Sequence, residues 1–372
     1  MNLRSHLRQL QSGFIACGLF LGVFFAPPLR LWAQAVSAED ASGAEESNFK
    51  PIIPEQEKAI EKGLIWLEKQ QARDGSFNAG AGGGGGGGGG GYMVSMTSIA
   101  GLAFLSAGHM PGRGKYGGLL NKTIAFILKQ QQRDGLISAS DGQGREMYGH
   151  GFSMLFLAEA YGMDPYGEQG ENIRNALNKG IQLTARAQSN LGGWYYTPNS
   201  GTDEGSVTIT QVQALRACRN VGLEVPKKVL DRAIDYIRKS QQEDGGVAYR
   251  VGMTGSRPAL SAAGAELMLM AGLYEDRSTK RILEYLRKNI TPTNMKNSFD
   301  SYTHFYAAQA YHHLGGKDWE RYFNELRSRL LREQTGAGNW NASGWGAGPI
   351  FDTSVYVIIL TLPYEYLPIY QP

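Results

Sequence analysis

The chain reads as an all-α protein built from six helix-hairpin repeats, and three observations predict this. A glutamine followed four residues later by a glycine recurs as Gln71–Gly75, Gln131–Gly135, Gln188–Gly192, Gln241–Gly245 and Gln334–Gly338. The run before the glutamine alternates apolar and charged faces at helical spacing, as in "KVLDRAIDYIRKSQQ". The run after the glycine is small and apolar all round, as in "SMTSIAGLAFLSAG", so half-solvated and buried helices alternate. The intervals between glutamines are 60, 57, 53 and 93 residues, a spacing typical of arrayed supersecondary units, and the last is wide enough to hide another copy.

Residues 1–38 read as a secretory signal peptide. Arg4 and Arg8 precede an apolar run from Phe14 to Ala26, and Ala33-Gln34-Ala35 and Val36-Ser37-Ala38 offer small-residue cleavage sites. An uncleaved anchor is the alternative, although the apolar run is short for a membrane span. Cys17 lies too early in that run for a lipoprotein cysteine, which leaves Cys218 as the single mature thiol and a fold that relies on its core. The formal charge of +3 falls to about neutral once Arg4, Arg8 and Arg30 leave. A near-neutral domain lacks the basic excess of a nucleic-acid binder. Residues 39–53 form an Ala-, Ser- and Glu-rich flexible leader, and 54–372 one repeat domain.

The elements follow in order. The first repeat pairs "GLIWLEKQQARDGSF" with "SMTSIAGLAFLSAG" across a Gly-rich loop at 80–91, whose unbroken run Gly82–Gly91 lacks the Lys-Ser/Thr of a phosphate-binding loop. The second has Leu136 instead of an aromatic and continues as "YGHGFSMLFLAEAYG"; the third has Trp194 and "TITQVQALRACRNVG". The fourth places Tyr249 four residues after Gly245 and runs on as "LSAAGAELMLMAGLY". The fifth, "RILEYLRKNITPTN", is degenerate, with Ile290 at the glutamine position, and its partner is "YTHFYAAQAYHHLGG". The sixth carries Trp340 and "TSVYVIILTLP". Five residues before the glutamines stand Trp66, Phe126, Leu183, Tyr236 and, out of character, Arg329. The motif reads as structural: glycine supplies a left-handed residue at the helix end, the glutamine amide satisfies orphaned backbone groups there, and the aromatic shields the bond.

The copies Gly63-x2-Trp66-Leu67-x3-Gln71-x3-Gly75-x-Phe77 and Gln188-x3-Gly192-Gly193-Trp194 resemble the QW repeat of squalene and hopene cyclases, shared in weaker form with protein prenyltransferase β-subunits. The resemblance covers essentially the mature chain and is to the prenyltransferase/squalene-oxidase repeat proteins of the terpenoid cyclase and protein prenyltransferase superfamily. It implies an (α/α)6 toroid of six inner and six outer helices around a cavity. The DxDD acid motif of hopene-type cyclases, the Asp/Cys/His zinc set of prenyltransferases and the thioester motif of complement-type toroids are all missing, so no cofactor and no metal is expected.

In such a toroid the six inner helices start at one mouth, whose aligned dipoles favour anions. Residues at those starts are Thr97; Tyr148 and His150; Asp203, Glu204 and Thr208; Arg257 and Ser261; Asp300, Tyr302 and His304; and Asp352 with Thr353. The candidate catalytic set is His150, Asp203, Glu204, Asp300, His304 and Asp352. His150 lies between glycines and suits acid–base work. Asp203 and Asp352 read first as N-caps and only second as catalytic groups. Asp300 and His304 share a helix face, as an acid–base pair, two metal ligands or a satisfied polar contact. Paired carboxylates across the mouth would suit glycoside cleavage, and Tyr195, Tyr196, Trp340 and Trp345 would stack on sugars or line a polyene site. The expected function is to bind an apolar or isoprenoid-like ligand, with a carbohydrate-active enzyme or a non-catalytic scaffold as alternatives. Membrane contact is expected only through the leader or a lipid ligand.

Overall fold

A computed structural model describes residues 49–77, 92–139, 144–293, 299–341 and 348–372. The signal peptide, most of the leader, the Gly82–Gly91 run and Trp345 lie outside them. Six amphipathic helices, α1 (Pro54–Glu68), α3 (Gly117–Lys129), α5 (Gly170–Ala187), α7 (Lys227–Ser240), α9 (Arg277–Asn289) and α11 (Gly316–Glu333), form an outer ring. Six helices buried on almost every face, α2 (Met93–Ser106), α4 (Glu146–Met163), α6 (Gly205–Asn220), α8 (Pro258–Met270), α10 (Asp300–Leu314) and α12 (Gly348–Thr361), form the inner ring. Each inner helix packs on the next, and α12 packs back on α2, which closes an all-α toroid. Among the described residues there is no strand, and no helix is long and apolar enough to cross a membrane.

The glutamine motif is an inter-repeat stitch. Gln71 Nε2 donates to the Gly75 carbonyl in its own turn and to the Leu119 carbonyl of α3. Gln131 bridges Gly135 and Ala176 of α5, Gln188 bridges Gly192 and Val229 of α7, and Gln241 bridges Gly245 and Ser278 of α9. The last copy shuts the ring: Gln334 donates to Gly338 and, at 2.8 Å, to Ala59 in α1. The amide therefore serves the following outer helix rather than the end of its own. The end of its own helix is served instead by the motif tryptophans, since Trp194 Nε1 donates to the Thr184 carbonyl and Trp340 Nε1 to that of Leu330.

The glycine has two reasons to be glycine. Gly75, Gly135, Gly192, Gly245 and Gly338 all have φ between +91° and +104°, as the left-handed reading requires, but they sit in a short reversal beyond the helix rather than at its cap. Each also lies against the next outer helix. A Cβ on Gly75 would stand 2.3 Å from the Lys122 carbonyl oxygen, and one on Gly338 would stand 2.5 Å from that of Lys62. The docking residue is basic every time (Lys122, Lys179, Arg232, Arg281, Lys62), and Arg232 and Arg281 donate back to carbonyls of the turn they receive. Only α11 breaks the rule, with Glu325 at the corresponding place, and α11 is the helix that follows the degenerate repeat.

Gly338→Ala should destabilise the protein by about 3 kcal/mol or more, because it adds a backbone clash to the left-handed strain. Gly114→Ala, also at positive φ but with open space around it, should cost about 1 kcal/mol. Urea unfolding of both variants compares them, and equal losses would contradict the docking contact.

Candidate functional site

One position is shared by all the inner helices about a turn from their start: Thr97, His150, Thr208, Ser261, His304 and Thr353. In five repeats its side chain accepts the backbone N–H two residues past the motif glycine. Phe77 N donates to Thr97 Oγ1 at 2.9 Å, Trp194 N to Thr208 Oγ1 at 3.0 Å, Val247 N to Ser261 Oγ at 2.8 Å, and Trp340 N to Thr353 Oγ1 at 3.1 Å. In the second repeat Ile137 N donates to His150 Nδ1 at 3.1 Å. With Nδ1 accepting, the proton sits on Nε2 and faces Thr184 Oγ1 at 2.9 Å. Burial pushes the His150 pKa down to about 4. Nδ1 thus anchors the reversal and Nε2 faces α5, so both ring nitrogens have structural partners.

His304 occupies the same register in the repeat that lacks the glutamine, and its surroundings differ. Arg329 Nη2 reaches Asp300 Oδ2 at 2.6 Å, Nη1 donates to the Pro292 carbonyl and lies 3.2 Å from His304 Nε2, and Nε pairs with Glu333. Tyr356 of α12 donates to Asp300 Oδ2 at 2.7 Å, and His304 Nδ1 lies 2.6 Å from Tyr322 Oη. Asp300 and His304 are brought together, 3.6 Å apart, but between the inner and outer rings. Burial works to raise the Asp300 pKa; the pull of His304, Arg329 and Tyr356 outweighs it and holds the carboxyl below its usual range. The anomalous Arg329 thus holds the connection that elsewhere a glutamine holds. Asp352 lies inside α12 rather than at its cap, and among the described residues no cluster of His, Cys, Asp and Glu is arranged to hold a metal.

The N-cap of α6 is Glu204, not Asp203: its carboxylate accepts from Ser206 N and Val207 N and from the Ser206 hydroxyl. Burial raises the Glu204 pKa, with those donors and the charge of Arg250 opposing. Asp203 instead accepts the Ser189 hydroxyl at 2.6 Å in the preceding reversal.

The starts of α4, α6, α8 and α10 do meet at one mouth, around a cavity of about 470 Å³. Its wall is Tyr148, Ser206, Tyr249, Leu260, Phe299 and Tyr302, with Met253, Arg257, Thr303 and the α8 start completing it. Tyr249 is available because Val247, not Tyr249, fills the motif position opposite Gln241. Burial keeps the Tyr148 and Tyr302 phenols protonated by pushing their pKa values well up, and Tyr148 pairs with Ser206 over Glu204. Arg145 lies over the Tyr92 and Tyr196 rings, and Arg250 over those of Tyr195 and Tyr249. No carboxylate among the described residues forms part of the wall. Seven residues deeper, Gln213 and Gln309 join α6 to α10 across the interior at 2.7 Å. At the opposite end, the turn Pro368–Tyr370 packs on α6 and α10; His312 Nδ1 lies 3.0 Å from the Tyr370 carbonyl, and burial pushes Glu159 up to about 8.

No family model matches the sequence. A stretch of 169 residues is 24% identical to a drimenyl diphosphate synthase of Streptomyces showdoensis, covering 45% of this chain and 29% of that protein, so the chain matches less than a third of its curated relative. Among solved structures, the type II terpene cyclase MstE from Scytonema is similar at a TM-score of 0.59 and 14% identity, over 84% of this chain and 99% of that one. A variant of MstE in complex with geranylgeranyl dihydroxybenzoate matches at 0.56 and 14%, over 82% and 97%. An inactive variant of the alpha-1,6-mannanase GH76A of Salegentibacter sp. HEL1_6, in complex with alpha-1,6-mannotriose, matches at 0.58 and 9%, over 82% and 98%. The chain is a terpenoid-cyclase-like α/α toroid in fold.

His150→Thr, which installs the residue used in three other repeats, should flatten the acid limb of stability. The His150 pKa is depressed in the folded state, so the unfolded chain binds the proton first. The His150 contribution to stability is therefore full above pH ~6.5 and is lost toward pH ~4, by an amount of order 3 kcal/mol. Denaturant midpoints measured across that window should fall less steeply for the variant than for the wild type, the slope that remains including His312, whose pKa burial also pushes down to about 4.

Proposed function

We propose that the protein is exported by its leader and that the toroid holds an apolar, isoprenoid-like ligand in the mouth cavity. The observation that carries this reading is the cavity wall: four aromatic rings with Leu260, Met253 and Pro258. A volume of about 470 Å³ lies in the range of small-molecule sites, which are mostly apolar with a few placed polar groups. Structural relatives that bind a prenylated substrate or a mannotriose share the fold, and the wall chemistry separates the two kinds of ligand. Glycoside cleavage needs two free carboxyl groups facing one bond. Among the described residues Glu204 caps α6, Asp203 holds Ser189 and Asp300 holds Arg329, so these three carboxylates are engaged in other contacts, which favours the apolar ligand.

The test is native mass spectrometry of the purified mature protein followed by solvent extraction, with farnesol as the added probe. A retained apolar molecule, or saturable farnesol binding, is the expected result. Ala259→Trp, which fills the cavity from a half-buried wall position, should weaken binding by roughly tenfold, about 1.4 kcal/mol, without lowering the unfolding temperature. Reproducible emptiness together with glycan-array binding would overturn the reading.

A further inference from the structure

A second cavity, of about 400 Å³, lies at the end of the toroid opposite the mouth, where α6 and α8 finish against the turn Pro368–Tyr370. Arg216, Tyr274 and His313 form its polar side and Leu269, Met270 and Ile369 its apolar side, and no Asp or Glu of the described residues lines it. Six arginines among the described residues are buried or half-buried, and five of them have partners. Arg329 is held by Asp300, Arg327 by Gln56, Arg281 by the Gln242 carbonyl and Arg232 by that of Ser189, while Arg250 lies over the Tyr195 and Tyr249 rings. Arg216 makes no hydrogen bond, ion pair or ring contact to a described residue. Nor does it cap a helix. The final carbonyls of α6 are taken by Gly222 N on Arg219 and Leu223 N on Cys218, both at 3.0 Å, and those of α8 by Gly272 N on Leu269 at 2.8 Å and Leu273 N on Met268 at 3.1 Å. Attraction to the α6 dipole is supplied by Arg219, exposed in the last turn. His313 is already committed: Nε2 lies 3.1 Å from the Gln371 carbonyl, which only accepts, and Nδ1 lies 2.9 Å from Glu266 Oε2. That geometry suits an imidazolium on a carboxylate, a pair neutral within itself. The neighbouring acids Glu275 and Asp276 are paired with Lys280 and Arg238. Burial, with Arg219 adding to it, lowers the Arg216 pKa, as befits a cation without a counter-ion.

We propose that this cavity is a second binding site, for a small monocarboxylate with an apolar body, its carboxylate on Arg216 and the Tyr274 hydroxyl and its body against Leu269, Met270 and Ile369. The guanidinium presents a planar fork that meets a carboxylate with two parallel bonds, and the Tyr274 hydroxyl, which bonds no described residue, adds a donor beside it. One uncompensated cation calls for one negative charge, which sets a carboxylate above a phosphate dianion. The site lies at the other end of the inner helices from the mouth and is independent of the ligand proposed there.

The test titrates the purified protein, its histidines isotope-labelled, with benzoate, octanoate, benzyl alcohol and inorganic phosphate, and follows the imidazole signals by NMR. Benzoate and octanoate should shift the His313 signal saturably. Benzoate should bind at least about tenfold tighter than benzyl alcohol, the difference expected of one charge-assisted pair, and tighter than phosphate. Arg216→Gln should weaken benzoate by about tenfold and leave benzyl alcohol within about twofold, and Arg216→Lys should keep part of the preference, since an ammonium retains the charge but not the fork. Tyr274→Phe should weaken benzoate by about threefold, a second reading should Arg216→Gln fail to fold. Ala259→Trp, at the mouth, should change none of these affinities. A silent His313 signal, equal affinity for benzoate and benzyl alcohol, a preference for phosphate, or a benzoate preference that survives Arg216→Gln overturns this proposal and leaves the mouth-cavity reading standing. Benzoate binding that Ala259→Trp abolishes belongs to the mouth and overturns it as well.

Discussion

The amide of a glutamine side chain, donated to a carbonyl of the following outer helix, is the bond on which this architecture depends. Backbone hydrogen bonds complete each helix by itself but do nothing to set one hairpin against the next. The stitch supplies that registration: one Nε2 group satisfies the reversal at Gly75 and fixes α3, and the same two bonds recur around the ring until Gln334 reaches Ala59. Each bond contributes on the order of 1 kcal/mol net. The arrangement around it is less forgiving, because the glycine's backbone is in van der Waals contact with the helix being stitched and no side chain fits between. Closure turns nearest-neighbour contacts, which in an open array would end at two exposed faces, into a ring with a shared interior.

The interior is unequal around its circumference. The cavity opens over α4, α6, α8 and α10, and the stitch is missing where the fifth repeat meets the sixth. There the buried Arg329 takes over, held by Asp300, Glu333 and the Pro292 carbonyl. Ion pairs of this kind are costly to bury and costly to break, about 3–5 kcal/mol when one partner is removed. That seam is therefore specific but brittle, whereas the cavity wall next to it is apolar and free of such obligations. The polar residues closest to the ring's joints are engaged in construction, and the cavity surface is mostly aromatic and aliphatic, with Arg257 at its exposed edge.

The closed toroid was implied only by the resemblance that the motifs carry, whereas the repeat and the alternation of helix types were legible in the sequence, because period and composition are local properties. The partner of each motif was not, since Gln131 finds Ala176 and Gln334 finds Ala59 only once the chain has folded. One signal was available: a Lys or Arg nine residues before each glutamine position except the last, with Glu325 as the exception that marks the missing glycine. The register of Thr97, His150, Thr208, Ser261 and Thr353 was visible too, as a series of polar residues at the starts of the buried helices. Read singly, His150 invites a catalytic role; read as one of five equivalent acceptors, it is an anchor. Asp203 and Glu204 show the limit of local reading, because the choice of which carboxylate caps α6 turns on a one-residue difference in side-chain reach. Tyr249 was counted as a motif aromatic, and only the pairing of Gln241 with Val247 releases it to the cavity.

The most direct measurement of the closed ring is a pair of spin-label distances. Labels at Arg73 and Lys122 report a stitch between neighbours in sequence, and labels at Gly336 and Lys62 report the equivalent stitch between the last repeat and the first. All four positions are exposed. A ring closed by the same contact gives the two pairs overlapping distance distributions. A second distribution shifted to much longer separations would mean an open superhelix, in which the inner helices share no mouth and the cavity has no wall.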